Sequence, residues 1–271
     1  MDELARETQA RWDALVAADI AYARPLLDLT PAAARLWLDP HDVMDDPRER
    51  NVLCLGAGGG QQSAAFGVLG AAVTVFDLSP AQLARDRQAA DHYGYALRVE
   101  QGDMRDLSRF AAASFDMVYH AYSIDFVPDV RPVLREVARV LRPGGQYRLQ
   151  FSNPFTKGSE PESWTGTGYL VPYPLVEGEV PFPEDTWDVT DTAGAVQRVP
   201  GPKEFRHPLS VVINTLLGEG LFLLGFWESS STRLRAMGVP DAGSLEAEPG
   251  SWEHYCAFLP PYITLWARRG G

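Results

Sequence analysis

From residue 51 onward the chain alternates short apolar runs with stretches of helical character. NVLCL at 51–55 predicts a strand; a Gly-rich turn follows, then a helix from about Gln61 to Leu69. AVTVF at 72–76 predicts a second strand ending at Asp77. Ser79-Pro80 then caps a helix to about Tyr93, which Gly94 stops. Leu97–Glu100 and Phe115–Tyr119 read as the third and fourth strands. A helix from about Val130 to Leu141 is closed by Arg142-Pro143-Gly144-Gly145, and Gln146–Phe151 is the fifth strand. Such alternation predicts an α/β fold, a doubly wound and mostly parallel sheet with helices on both faces.

Before residue 51 the pattern is helical. Trp12, Leu15, Val16, Asp19 and Ile20 form a stripe, and Thr30-Pro31 opens a second helix. Residues 1–50 therefore read as a helical cap on a domain spanning 51–271. From Asn153 to about His207 the alternation breaks. This stretch is rich in Pro, Gly and aromatics (Trp164, Tyr169, Tyr173, Phe182, Trp187). It is too apolar for a linker and too broken for a long helix, so 153–207 reads as an inserted substrate cap holding an irregular hairpin. A helix at Pro208–Gly218 and strands at Leu221–Trp227 and Tyr262–Ala267 resume the pattern. A loop around Ala236–Trp252 reads as mobile.

Composition narrows the class. An apolar content of 45% and a charged content of 22% over 271 residues are ordinary for a globular protein. No stretch nears the roughly 20 apolar residues of a membrane span, and the acidic N-terminus lacks a secretory pattern. Cys54 and Cys256 read as packing in a reducing compartment, so a cytoplasmic location is expected. A net charge of −12 repels a phosphate backbone and argues against a nucleic-acid partner. The cluster His41, Asp42, Asp45 and Asp46 lacks strand or helix context and reads as a loop, so no metal is expected. Nothing indicates the oligomeric state.

The chemistry concentrates after the first strand. Gly56-Ala57-Gly58-Gly59-Gly60 lets a ligand approach the backbone with no Cβ in the way. About 20 residues on, Asp77 ends the second strand, where a carboxylate can accept both hydroxyls of a ribose. A dinucleotide fingerprint wants a third glycine at position 61 or 63, and the chain has Gln61 and Ser63. The Gly-x-Gly-x-Gly form suits a ligand without a pyrophosphate. Asp103-Met104 brings a second carboxylate to the same sheet edge; Asp103 can accept from an adenine amino group or cap a helix, or both.

Five segments, NVLCLGAGGGQQS, VTVFDLSPAQL, QGDMRDL, FDMVYHAYSIDFVPD and REVARVLRPGGQYRL, cover about residues 51–151. In this order and spacing the chain resembles the class I S-adenosylmethionine-dependent methyltransferases of the small-molecule type 11 sort. EFRHPLSVVINTLLGEGLFLLGFWE continues the likeness more weakly. The resemblance implies a seven-stranded Rossmann-like sheet, its last strand antiparallel and inserted near the edge. It implies S-adenosylmethionine as cofactor, with Gly56, Gly58 and Gly60 under the methionine portion, Asp77 on the ribose and Leu78 flanking the adenine. Asp103 and Met104 would bind adenine, and Tyr119-His120-Ala121 would approach the sulfonium. One departure is that Leu55, not an acidic residue, precedes the glycines.

Methyl transfer from a sulfonium is an in-line displacement driven mainly by proximity and orientation, so a missing catalytic signature is expected. A base is needed only for a protonated acceptor. His120 is a candidate base or a cofactor contact, and His207 a weaker candidate whose other reading is helix entry. Tyr22 and Trp12 could close over the cofactor or belong to the core. Tyr122 and Asn153 stand at the ligand edge as substrate-pocket candidates. The expected partner is a small-molecule methyl acceptor. The alternatives are a non-catalytic cofactor-binding module and a nucleotide-dependent oxidoreductase, the latter disfavoured by Gln61 and Asp103-Met104.

Overall fold

The computed structural model describes residues 1–182, 184–229 and 243–271. Helices α1 (Glu3–Ala17) and α2 (Pro31–Leu38) come first. The alternating region runs β1 (Asn51–Leu55), α3 (Gln62–Val68), β2 (Ala72–Asp77), α4 (Pro80–Tyr93) and β3 (Leu97–Gln101). It continues with β4 (Phe115–His120), α5 (Val130–Val140) and β5 (Leu141–Ser152). Within 153–207, β6 (Gly178–Glu179) pairs with β9 (Phe205–Arg206), and β7 (Thr186–Thr190) forms a hairpin with β8 (Val196–Pro200). Then follow α6 (Leu209–Gly218), β10 (Leu221–Ser229), α7 (Trp252–Phe258) and β11 (Tyr262–Arg269).

Seven strands form one sheet in the order β10-β11-β5-β4-β1-β2-β3. β11 runs antiparallel to both neighbours and the other pairings are parallel. This is the doubly wound architecture that the alternation predicts. Parallel strands covered on both faces must be apolar on both, and β1 shows it. Leu53 and Leu55 enter one core with Leu134, Val137 and Phe151; Val52 and Cys54 enter the other with Trp37, Phe66 and Met117. Chain order reverses at β1, which lies between β2 and β4, and the crevice at its carboxyl end is where such sheets bind ligands.

Local chemistry sets the helix starts. Thr30 Oγ1 accepts from Ala33 N at 3.2 Å ahead of Pro31, and Ser79 Oγ accepts from Gln82 N at 3.0 Å ahead of Pro80. Gly94, at φ +72, ends α4 in the left-handed conformation. β5 starts earlier than expected, at Leu141. The Pro-Gly-Gly stop ends the helix there, but the chain goes straight on into extended pairing, with an irregular register opposite Phe115–Met117. Of the loop expected around 236–252, residues 236–242 lie outside the described residues, and from Trp252 the chain is helical. Ser251 Oγ accepts from His254 N to cap that helix. No helix among the described residues is long and apolar enough to cross a membrane.

Candidate active site

β1 hands over to a turn, 56–60, that is wedged among side chains. A Cβ on Gly56 would collide with Ser123 Oγ and stand 2.7 Å from Met104 Cε. One on Gly58 would stand 2.6 Å from Gln82 Cβ and 3.0 Å from Asp77 Oδ2. Two acids, the buried Asp86 and the half-buried Asp77, hold the turn. Asp86, on α4, accepts from Gly59 N at 3.1 Å, Gly60 N at 3.0 Å and Ser63 Oγ at 2.6 Å. Burial raises its carboxyl to about 7. Asp77 Oδ2 accepts from Gly58 N and its Oδ1 from Ser79 N, both at 2.9 Å; burial raises this carboxyl too, against the pull of those amides.

Beside the turn lies a cavity of about 600 Å³. Gly56, Gly58, Asp77, Leu78, Asp103 and Met104 line it, as do Ala5, Thr8, Arg11, Trp12 and Leu15 of α1. The rim and α1 are tied together. The Arg105 guanidinium donates to both oxygens of Asp103 and reaches Asp2, the N-cap of α1, at 2.8 and 3.0 Å. Those bonds raise the Arg105 pKa and lower that of Asp2. Gln61 Nε2 donates to the carbonyls of Tyr22 (2.7 Å) and Arg24 (2.9 Å), which brings the segment after α1 against the glycine turn. The residue whose identity argued against a dinucleotide fingerprint thus anchors the N-terminal cover.

Gly56, Gly58, Asp77, Leu78, Asp103, Met104, Tyr22 and Tyr122 all line this cavity. Gly60, His120, His207 and Asn153 lie outside its lining, each for a visible reason. Gly60, at φ +73, faces α4: a Cβ there would stand 2.6 Å from Arg85 O and 2.7 Å from Pro25 Cβ. His120 is fully buried within β4, its Nδ1 2.9 Å from Tyr147 Oη, and burial lowers its pKa to about 3. His207 is buried against the Ile124 carbonyl, 3.3 Å from its Nε2, and burial lowers its pKa as well. Asn153 closes a turn, accepting from Phe155 N at 3.1 Å and donating to Pro260 O at 2.9 Å.

At the other end of the cavity sequence reasoning named Tyr122 and, among the cap aromatics, Trp187, but passed over Ser152, Lys157, Glu204 and Tyr262, which line it with them. Lys157 Nζ donates to Ser152 Oγ at 2.7 Å, Asp125 Oδ2 at 3.2 Å and Glu204 Oε2 at 2.6 Å. Burial alone would lower this ammonium's pKa, but Asp125 and Glu204 outweigh it and hold it above its ordinary value. Asp125 in turn is kept low, burial being overcome by Lys157. Tyr122 Oη lies 2.6 Å from Ser152 Oγ. A signal existed: Lys157 is one of only two lysines in the chain.

Comparison with known proteins gives the class to which the chain belongs. The profile of a family described as "Methyltransferase domain" matches residues 53–149. An uncharacterized methyltransferase, YbaJ, of Bacillus subtilis (strain 168) is 33% identical over 193 residues, covering 70% of this chain and 72% of that protein. The ubiquinone biosynthesis O-methyltransferase of Pseudomonas aeruginosa (strain LESB58) is 32% identical over 130 residues, 48% of this chain and 54% of that protein; the likeness spans about half of each. Among solved structures, an S-adenosylmethionine-dependent methyltransferase from Mesorhizobium loti shares the fold, with a TM-score of 0.63 at 21% identity over 90% of this chain and all of that one. The chain belongs to the class I S-adenosylmethionine-dependent methyltransferases.

Proposed function

We propose that this enzyme methylates a small acceptor held between the glycine rim and residues 153–207, which serve as a substrate cap. One observation carries the reading: Gly58, Asp77 and Asp103 face the same cavity as Tyr122 and the buried Lys157. In this reading Gly56 and Gly58 underlie the methionyl part of S-adenosylmethionine, and Asp77 takes the ribose hydroxyls on the lone pairs that its amide bonds leave open. Leu78, Asp103 and Met104 surround the adenine. The chain's own atoms fit such a molecule. Ser123 Oγ, Gln62 Oε1 and Gln82 Oε1 are buried on the cavity wall without a hydrogen-bond partner among the described residues. Two amide oxygens and a hydroxyl suit an amino-acid head group, and they supply the polar contacts that no acidic residue before the glycines provides.

S-adenosylmethionine supplies a methyl group on a sulfonium with a good leaving group. The protein's task is then to align the acceptor and exclude water. α1, tied to the rim through Arg105, and the aromatic residues of the cap would serve that exclusion. A small acceptor accords with a cavity of about 600 Å³ in a chain of net charge −12. Calorimetry provides the test: S-adenosylhomocysteine binds saturably and NADH does not. Binding of NADH in its place would favour an oxidoreductase and end this reading.

A further inference from the structure

We infer that the Lys157 end of the cavity is an acceptor subsite for an acidic hydroxyl, of the phenol or enol class, and that Glu204 receives its proton. This rests on the methyltransferase reading and adds the acceptor class to it.

A buried ammonium with two carboxylates is costly to assemble for packing alone. Here it is fully ordered, since each of the three N–H bonds of Lys157 has its own acceptor in Ser152, Asp125 or Glu204. The two acids differ in what they have left to give. Asp125 is 1% exposed, is absent from the cavity lining, and its Oδ2 already accepts from Lys157 and from Ser152 N at 3.0 Å. Glu204 gives one oxygen to Lys157 yet lines the cavity, so it is the carboxylate an acceptor can reach. The Tyr122–Ser152 hydroxyl pair stands beside it and, through Lys157, can stabilise negative charge on an acceptor oxygen.

The donors at this end, not its net charge, select the hydroxyl. The groups lining this end are Lys157, Arg11, Glu204 and Glu160, two cations and two acids, with Asp125 and the neutral-leaning His207 behind them. Arg11 is buried, lies 5.1 Å from the Trp187 ring and donates to Pro200 O. With Asp125 counted, three acids face two cations, so the hydroxyl is favoured not by net charge but by the donors of the Tyr122–Ser152 pair, which suit an oxygen that gains negative charge. The walls suit a flat ring: Tyr262 packs edge-on against Tyr122 at 5.1 Å, and Trp12 against Phe126 at 5.7 Å.

The step balances. The acceptor O–H bond breaks and its proton goes to Glu204. The oxygen's electron pair forms the bond to the methyl carbon, and the carbon–sulfur pair leaves with sulfur as a neutral thioether. Tyr122 and Lys157 are positioning residues; Glu204 is the catalytic one.

The test uses the full chain saturated with S-adenosylhomocysteine, with 4-nitrophenol and 4-nitrocatechol as probes at a pH well below their own pKa values. Wild type is expected to bind a probe with the phenolate absorption band, and calorimetry in two buffers of different ionisation enthalpy shows no proton released, because Glu204 keeps it. Glu204→Gln gives the band with about one proton released per site, or loses the band. Tyr122→Phe weakens probe binding about tenfold. Both variants keep the wild-type affinity for S-adenosylhomocysteine, which shows that they fold. A proton released by wild type, a probe bound as the neutral phenol, or no probe binding at all overturns the inference and leaves the methyltransferase reading standing. Failure of S-adenosylhomocysteine to bind wild type overturns that reading instead.

Discussion

The amide of Gly58 donates to Asp77 Oδ2 at 2.9 Å, joining the glycine turn to the end of β2. With Ser79 N on the other oxygen, the Asp77 carboxylate is locked before any ligand arrives. In the proposed function this is preorganisation: a ribose would meet an acid whose rotamer is already set.

Asp77→Asn keeps the size but turns one acceptor into an NH₂ facing a backbone N–H. The affinity for S-adenosylhomocysteine is expected to fall by about 1–3 kcal/mol, through lost charge-assisted bonds and a mispaired turn. Calorimetry on the folded variant decides it. An unchanged dissociation constant would remove Asp77 from the binding site.

Asp86 predicts a pH dependence. Its carboxyl is raised by burial from 3.8 to about 7. The folded state therefore holds this proton more tightly than the unfolded chain. The stability from this group is full below about pH 3.8 and is lost as pH rises through about 7. Urea unfolding of wild type and Asp86→Asn across this range should give a difference that shrinks toward pH 7. Parallel profiles would mean that the acid does not titrate in this window.

The sheet was legible because its signals are local. Each strand is a short apolar run, and Ser79-Pro80, Thr30-Pro31 and Gly94 punctuate the helices through their own backbone chemistry. That Gly56, Gly58, Asp77 and Asp103 come together was legible for the same reason: they stand at or just past strand ends, which the topology gathers at one edge. The Lys157 cluster was not. It joins Tyr122, Asp125, Ser152, Lys157 and Glu204 across the insertion, and no spacing rule links residues so far apart. His120 misled because the end of β4 reaches the right edge while its ring turns into the core beside Tyr147.

Arg105 links the rim to the N-terminal helix, so its loss should act on rates. Arg105→Ala frees the start of α1 and is expected to speed S-adenosylhomocysteine dissociation roughly two- to fivefold, a small effect because the pair with Asp2 is half exposed and screened. Stopped-flow release at low and high salt checks this. In wild type, salt should quicken release toward the variant's rate, and a variant with the wild-type rate at low salt would show that α1 is held by other contacts.

His120 should behave as a neutral core residue. Burial puts its pKa at about 3, with Nδ1 held near Tyr147 Oη and Nε2 without a hydrogen-bond partner among the described residues. Because the fold favours the uncharged ring, the stability it contributes is full above about pH 6.5 and is lost as pH falls through about 3. Its ring resonances should stay in the neutral position from about pH 5 to 8, where an ordinary histidine changes charge. A His120 signal titrating in that interval would restore it as a candidate base in place of Glu204.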